Sequence, residues 1–153
     1  MADAAEAKLK SLGIELPAIP APAANYVPSV RTGSLLFISG QVSFSAAEKY
    51  AGKLGAGLSV EDGQKAARVC AINLLANMKA SLGGLDKVAR IVKITGFVNS
   101  TLEFTEAHKV MNGCSDLLTE VLGERGKHAR SAVGMASLPL NAAVEVEAIV
   151  EVA

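Results

Sequence analysis

The sequence predicts an α+β sandwich in which two helices cover one face of a mixed, mostly antiparallel sheet. Two stretches carry apolar residues at helical spacing, several short stretches read as strands, and the two kinds are interspersed without strict alternation. The order is β-hairpin, helix, strand, helix, two strands. With 153 residues, at about 100–200 per domain, one domain is expected over 1–153.

Residues 3–12 are a short helix-prone run ended by Gly13, with Asp3 placed to cap it and Leu9 and Leu12 giving an apolar edge. Residues 17–28 hold Pro17, Pro20, Pro22 and Pro28. Proline withholds backbone donors, so this segment reads as an extended arm lying over other structure. Thr32, Gly33 and Ser34 supply turn chemistry before the apolar run 35–39, and Gly40 interrupts that run ahead of 41–44. A glycine inside a strand marks a bulge or a close approach of backbone to something else. Residues 45–58, with several glycines and alanines, read as loop.

Ser59 and Asp62 resemble a capping box, opening a helix whose stripe is Ala67, Ala71, Leu74, Leu75, Met78 and Leu82. Gly83 and Gly84 stop it. Residues 88–98 are β-branched and alternating, with Val92, Ile94 and Val98 on one face and Lys93 and Thr95 on the other. Ser100 or Thr101 can cap the second helix, whose stripe is Phe104, Ala107, Met111, Cys114, Leu118 and Val121, ended by Gly123. A polar loop leads to a strand at 130–137, a turn around Pro139 and a final strand at 143–152.

Composition excludes several classes of function. Lys+Arg and Asp+Glu number 15 each, so formal charge is zero, which opposes nucleic-acid binding through clustered Lys/Arg. Half the residues are hydrophobic, enough for a core without disulfides or metal and the opposite of a disordered composition. No apolar run reaches the roughly 18 residues of a membrane helix, and no basic start precedes an apolar core at the N-terminus. A soluble cytoplasmic protein without membrane association is expected. Cys70 and Cys114 show no CxxC spacing and read as small buried hydrophobes. The two histidines, His108 on the second helix and His128 in the loop before Arg130, are not spaced for a metal. Phosphate loop, serine-hydrolase elbow, zinc helix and dinucleotide fingerprint are all lacking.

The last two strands carry the candidate chemistry. Val144, Val146, Ala148, Val150 and Val152 share one face of the final strand, opposite Glu145, Glu147 and Glu151. Val133, Met135 and Ser137 likewise oppose Arg130, Ala132, Gly134 and Ala136. Setting Val133 and Met135 beside Val144 and Val146, against the helices, sends Arg130 and Glu145 together to the open face. There they form either an ordinary ion pair among solvent-facing charges or the floor of a small-molecule site; pattern leaves both open.

Several motifs in consistent order narrow the choice. Asn25-Tyr26-Val27-Pro28, Gly33 through Phe37-Ile38-Ser39-Gly40-Gln41, Val92 through Phe97-Val98, Ala129-Arg130-Ser131-Ala132-Val133, Leu138-Pro139 and Val144-Glu145-Val146-Glu147-Ala148 resemble the YjgF/RidA (reactive intermediate deaminase, Rid) superfamily. The similarity runs from about residue 23 to the C-terminus and looks closest to a YjgF-like branch with an added N-terminal helix. The resemblance implies a chorismate-mutase-like fold and a homotrimer whose sheets close a central barrel, with sites in the clefts between subunits. It implies hydrolysis of carboxylate-bearing enamines and imines, such as 2-aminoacrylate, to 2-keto acids and ammonia. Carried over by motif, Arg130 and Glu145 are catalytic, and Arg130, Tyr26, Ser39 and Gly40 bind substrate. No metal or organic cofactor is implied, because an imine is already electrophilic.

Those residue types suit the chemistry. Arginine offers a planar fork of donors that fits a carboxylate and stays charged at neutral pH. Hydrolysis then needs water at the imine carbon and a proton for the leaving nitrogen, tasks a carboxyl group performs. Three positions depart from the archetype. Ala132 replaces a cysteine, His128 a proline, and His108 stands where an asparagine is expected on the second helix, so these three become pocket-lining candidates. Two other readings accompany the deaminase: a protein that binds a small carboxylate or 2-keto acid without turnover, and the endoribonuclease label also given to this superfamily, which the neutral charge opposes.

Overall fold

In a computed structural model the structure describes residues 3–19 and 24–153. Pro20 and Pro22 of the expected arm lie outside the described residues; Pro17–Ile19 and the 24–28 stretch have no helix or strand. Helix α1 (Ala4–Ser11) is capped by the Asp3 carboxylate, which accepts from the Ala5 amide at 2.9 Å, and Ala5 and Leu9 are its buried residues. Strands β1 (Ser29–Thr32) and β2 (Leu35–Val42) form the hairpin around Gly33. Residues 45–58, expected as loop, hold two short parallel strands, β3 (Lys53–Leu54) and β4 (Gly57–Leu58).

Helix α2 (Val60–Leu82) opens on the expected reciprocal capping box of Ser59 and Asp62 and closes on Gly83 in the left-handed conformation. Strand β5 (Val88–Asn99) corrects the expected alternation. Its pairing slips between Val88 and Arg90 and again between Ile91 and Lys93, so Ile91 turns into the core and Val92 is only half-buried. Helix α3 (Ala107–Leu122) starts later than expected, with Glu106 before it and no side-chain cap. Ser100 and Thr101 therefore do not cap it, and Phe104 packs on the core from the preceding turn. Strands β6 (Ala129–Met135) and β7 (Val144–Val152) complete the chain.

The five long strands lie in the order β1-β2-β7-β5-β6, with every pair antiparallel except β5 and β6. This overturns the expected pairing of β6 with β7. The β5–α3–β6 stretch is a crossover, in which a helix carries the chain back so that the next strand runs the same way as the first. Strand β7, buried at every second residue, fills the centre between β2 and β5. Val133 and Met135 consequently miss the core and are 41 % and 36 % exposed. Helix α2 packs over β2 and β7, α3 over β5 and β6, and α1 docks on α3. Leu74, Leu75, Met78, Ile91, Ile94, Met111, Leu117 and Leu118 are fully buried between helices and sheet, each worth about 1.5–3 kcal/mol of burial. No helix among the described residues is long and apolar enough to cross a membrane.

The two long helices approach so closely that a Cβ at Gly113 would overlap the backbone carbonyl of Gln64. Backbone cannot swing aside as a side-chain tip can. Gly113→Ala is expected to force α2 and α3 apart and to cost about 1–3 kcal/mol, read from denaturant midpoints at unchanged slope.

A candidate site divided between two faces of the sheet

Arg130 lies on edge strand β6, in register with buried Ile94, and therefore on the helix-covered face. Its guanidinium rests against α3. Nη1 donates to Asn112 Oδ1 at 2.9 Å and to Ser115 Oγ at 3.1 Å, and Nη2 donates to the His108 carbonyl at 3.1 Å. Of the five N–H groups an arginine carries, two are left without a partner among the described residues: Nε–H and one on Nη2. No carboxylate among those residues forms an ion pair with Arg130. This is a cation satisfied by neutral acceptors.

The surroundings of Arg130 include two of the pocket-lining candidates. His128 Nδ1 lies 2.6 Å from the Gly126 carbonyl and Nε2 lies 3.0 Å from Ser115 Oγ. Burial, with help from the Arg130 charge, holds the imidazole below its usual pKa and outweighs the raising effect of the Gly126 contact. His108 contributes its backbone carbonyl, while its side chain is exposed. Ala132 is half-buried against the core, in register with Gly96. The buried Cys114 thiol is pushed up to about 12 by desolvation against the pull of Arg130, and burial raises Cys70 as well, so both are inert at neutral pH.

Glu145 belongs to the other face. It pairs with Phe97 on β5 and Val42 on β2, whose side chains lie opposite the buried Val144 and Val146 set. Burial first, and the neighbouring Glu147 charge second, raise the Glu145 pKa above the usual carboxyl value. The expected bulge occurs between Ile38 and Gln41, and a Cβ at Gly40 would overlap the Glu145 carboxylate oxygen. Gly40 is thus the position whose missing side chain makes room for the acid.

Ser39 and Tyr26 lie beside Gly40, along a groove of about 820 Å³ that runs between the arm, β2 and the Asn73–Asn77 turn of α2. The Ser39 hydroxyl donates to the Val27 carbonyl at 2.8 Å, and its amide to the Pro28 carbonyl at 2.9 Å. Ser39 therefore fastens the arm to the sheet, leaving its hydroxyl as an acceptor towards a ligand. Tyr26 is 56 % exposed.

The expectation that Arg130 and Glu145 share a face within one chain is overturned. They project to opposite sides, and β6 lies two strand spacings from β7, about 10 Å across the sheet. The cause is the parallel β5–β6 pairing, which turns Arg130 inward when Val133 turns out. Sequence reasoning also missed Asn112 and Ser115, which meet the guanidinium with their side chains, whereas the expected His108 meets it only through its backbone carbonyl. Their spacing gave a signal: 108, 112 and 115 follow i, i+4, i+7, a polar stripe along one helix face. Among the described residues, no group of three His, Cys, Asp or Glu side chains is placed to hold a metal ion.

Two groups titrate with opposite consequences for stability. Above about pH 6.5 His128 is neutral in folded and unfolded chains alike; below it the unfolded ring takes up a proton more readily, so stability falls with acidification. Glu145 works in the opposite sense at lower pH, because the folded chain protonates its carboxyl first. Thermal midpoints measured from pH 7.5 to 5 are expected to fall in the wild type and to fall less in His128→Gln. Parallel curves would contradict a neutral, half-buried ring.

Residues 6–152 match the family described as "YjgF/chorismate mutase-like, putative endoribonuclease". Protein TCP17 of Trypanosoma cruzi is 52% identical over 147 residues, covering 95% of this chain and 92% of that one. The crystal structure of the protein Atu1372, of unknown function, from Agrobacterium tumefaciens superposes with a TM-score of 0.91 at 49% identity, over 98% of this chain and 94% of that one. A 2-iminobutanoate/2-iminopropanoate deaminase of Dermatophagoides farinae is 28% identical over 138 residues, 90% of this chain and 93% of that one. Motifs, sheet order and these likenesses agree that the chain belongs to the YjgF/RidA superfamily and has its chorismate-mutase-like fold.

Proposed function

We propose that the protein is a cytoplasmic deaminase that hydrolyses carboxylate-bearing enamines and imines, of the 2-aminoacrylate kind, to 2-keto acids and ammonia. The observation that carries this reading is Arg130, a fixed guanidinium with N–H groups to spare and, among the described residues, no acid to neutralise it. A small carboxylate is the complementary ligand. The related imine deaminase from Dermatophagoides farinae supports the same chemistry.

The two halves of the site meet only if Arg130 of one chain faces Glu145 of another, which a homotrimer provides. Exposed apolar side chains at both edges of the open face support such an assembly: Val30 and Phe37 on β1 and β2, and Val133 and Met135 on β6, 36–54 % exposed. Exposed apolar patches of this kind mark association surfaces. In the assembled site the substrate carboxylate lies on Arg130, which presents the imine carbon to water. An enamine first takes a proton at carbon. Water then adds to the C=N carbon of the iminium, giving up one proton to the Glu145 carboxylate. The carboxyl group returns it to the amine nitrogen. As ammonia leaves, the carboxylate takes the remaining hydroxyl proton, so that the C=O forms and the proton passes to solvent or ammonia. Glu145, whose pKa burial and the Glu147 charge raise above the usual carboxyl value, holds a transferred proton more readily than an ordinary carboxylate does.

Binding without turnover is the second reading. It is favoured by the Ser39 hydroxyl, whose proton is already given to Val27, and by Ala132, which brings no polar atom. Coupling the protein to an enzyme that releases 2-aminoacrylate separates the readings. Accelerated imine decay that falls about 10–100-fold in Arg130→Ala, the worth of one charge-assisted pair, is the expected result. Equal decay with both proteins, alongside keto-acid stabilisation of the wild type alone, would mean binding only. Gly40→Ala is expected to keep the fold, since the overlapping atom is a flexible carboxylate, yet to lose about 100-fold in turnover by displacing Glu145.

A further inference from the structure

With the His128 ring neutral, every proton in the hydrogen-bond chain that ends on Arg130 is assigned by the chain's two termini. The Gly126 carbonyl can only accept, so His128 Nδ1, 2.6 Å away, carries a hydrogen. Arg130 can only donate, so Ser115 Oγ, 3.1 Å from Nη1, accepts there. A neutral ring with its hydrogen on Nδ1 leaves Nε2 unprotonated, so Nε2 accepts the single Ser115 hydrogen at 3.0 Å. Burial and the nearby Arg130 charge favour the neutral ring that this order needs. The chain runs from a backbone anchor, through a half-buried ring and a helix hydroxyl, to a side chain with several rotatable bonds.

We propose that Ser115 and His128 are positioning residues for Arg130. The Gly126–His128–Ser115 chain holds the guanidinium in one orientation, so its two unpartnered N–H groups are ordered before a carboxylate arrives. The role rests on the carboxylate-binding reading of Arg130 given above. Asn112 and the His108 carbonyl hold the same guanidinium from α3, but neither reaches the backbone beyond the helix. The His128 chain alone ties it to the loop that precedes β6. An arginine ordered in advance loses less freedom when it binds, so the effect falls on affinity more than on the chemical step.

Side-chain nitrogen-15 spectra of the full-length protein test this, with 2-oxobutanoate as titrant. The wild type is expected to show the His128 proton on Nδ1 and a sharp Arg130 Nε–H signal. Ser115→Ala and His128→Phe should broaden that signal, weaken 2-oxobutanoate about tenfold and raise KM for the imine while kcat stays within twofold. Ser115→Thr, which keeps the hydroxyl, and His128→Gln, which keeps an acceptor, should restore most of both. An unchanged Arg130 signal in Ser115→Ala and His128→Phe would overturn the proposal, as would a proton on Nε2. Binding of 2-oxobutanoate that needs Arg130 yet ignores Ser115 and His128 would overturn it while sparing the carboxylate reading. An Arg130 signal that responds as expected in a protein with no 2-oxobutanoate binding would support the ordering and overturn its use for a carboxylate.

Discussion

The contact between the Arg130 guanidinium and helix α3 organises the cationic half of the candidate site. Three neutral acceptors hold the cation without cancelling its charge. Had a carboxylate supplied the same hydrogen bonds, the pair would be stable and inert. Because the acceptors are an amide, a hydroxyl and a backbone carbonyl, the attraction for an anion is left over for a ligand. The same field reaches its neighbours, opposing protonation of His128 and the burial-driven rise of the Cys114 thiol.

Glu145 is the counterpart on the opposite face. Burial and a second carboxylate raise its pKa, and the bare backbone at Gly40 gives its carboxyl group room. A cation lacking an anion and an acid lacking a cation are natural complements, yet one sheet keeps them apart. The proposed assembly of chains would resolve this electrostatically and would also cover the exposed apolar side chains at the two edges of the open face, Val30 and Phe37 on one and Val133 and Met135 on the other. Catalysis and association would then depend on one surface, so that a change weakening the interface also dismantles the site.

Much of the fold was legible because its signals are local. The Ser59–Asp62 box, the Gly83 stop and the Gly40 bulge follow from neighbouring residues and appear as read. What failed was non-local. Alternation in 88–98 gave no hint of two register slips, which move Ile91 inward at the expense of Val92. Pairing β6 with β7 looked natural because they follow one another, but strand order depends on where the β5–α3–β6 crossover returns. That single error placed Val133 in the core and Arg130 on the open face. The motif resemblance identified Arg130, Glu145, Ser39, Gly40 and Tyr26 as site candidates, while Asn112 and Ser115 escaped because a polar stripe on an amphipathic helix reads as solvated surface.

Arg130 of one chain and Glu145 of another are proposed to bracket a small carboxylate. A crystal structure of the protein with a bound 2-keto acid addresses this most directly. The ligand carboxylate is expected on the Nε and Nη2 side of Arg130, with Glu145 from a neighbouring protomer within hydrogen-bond reach of the carbonyl carbon's substituents. A ligand seated elsewhere, or an Arg130 whose remaining N–H groups are taken up by an acid of the assembled protein, would contradict it.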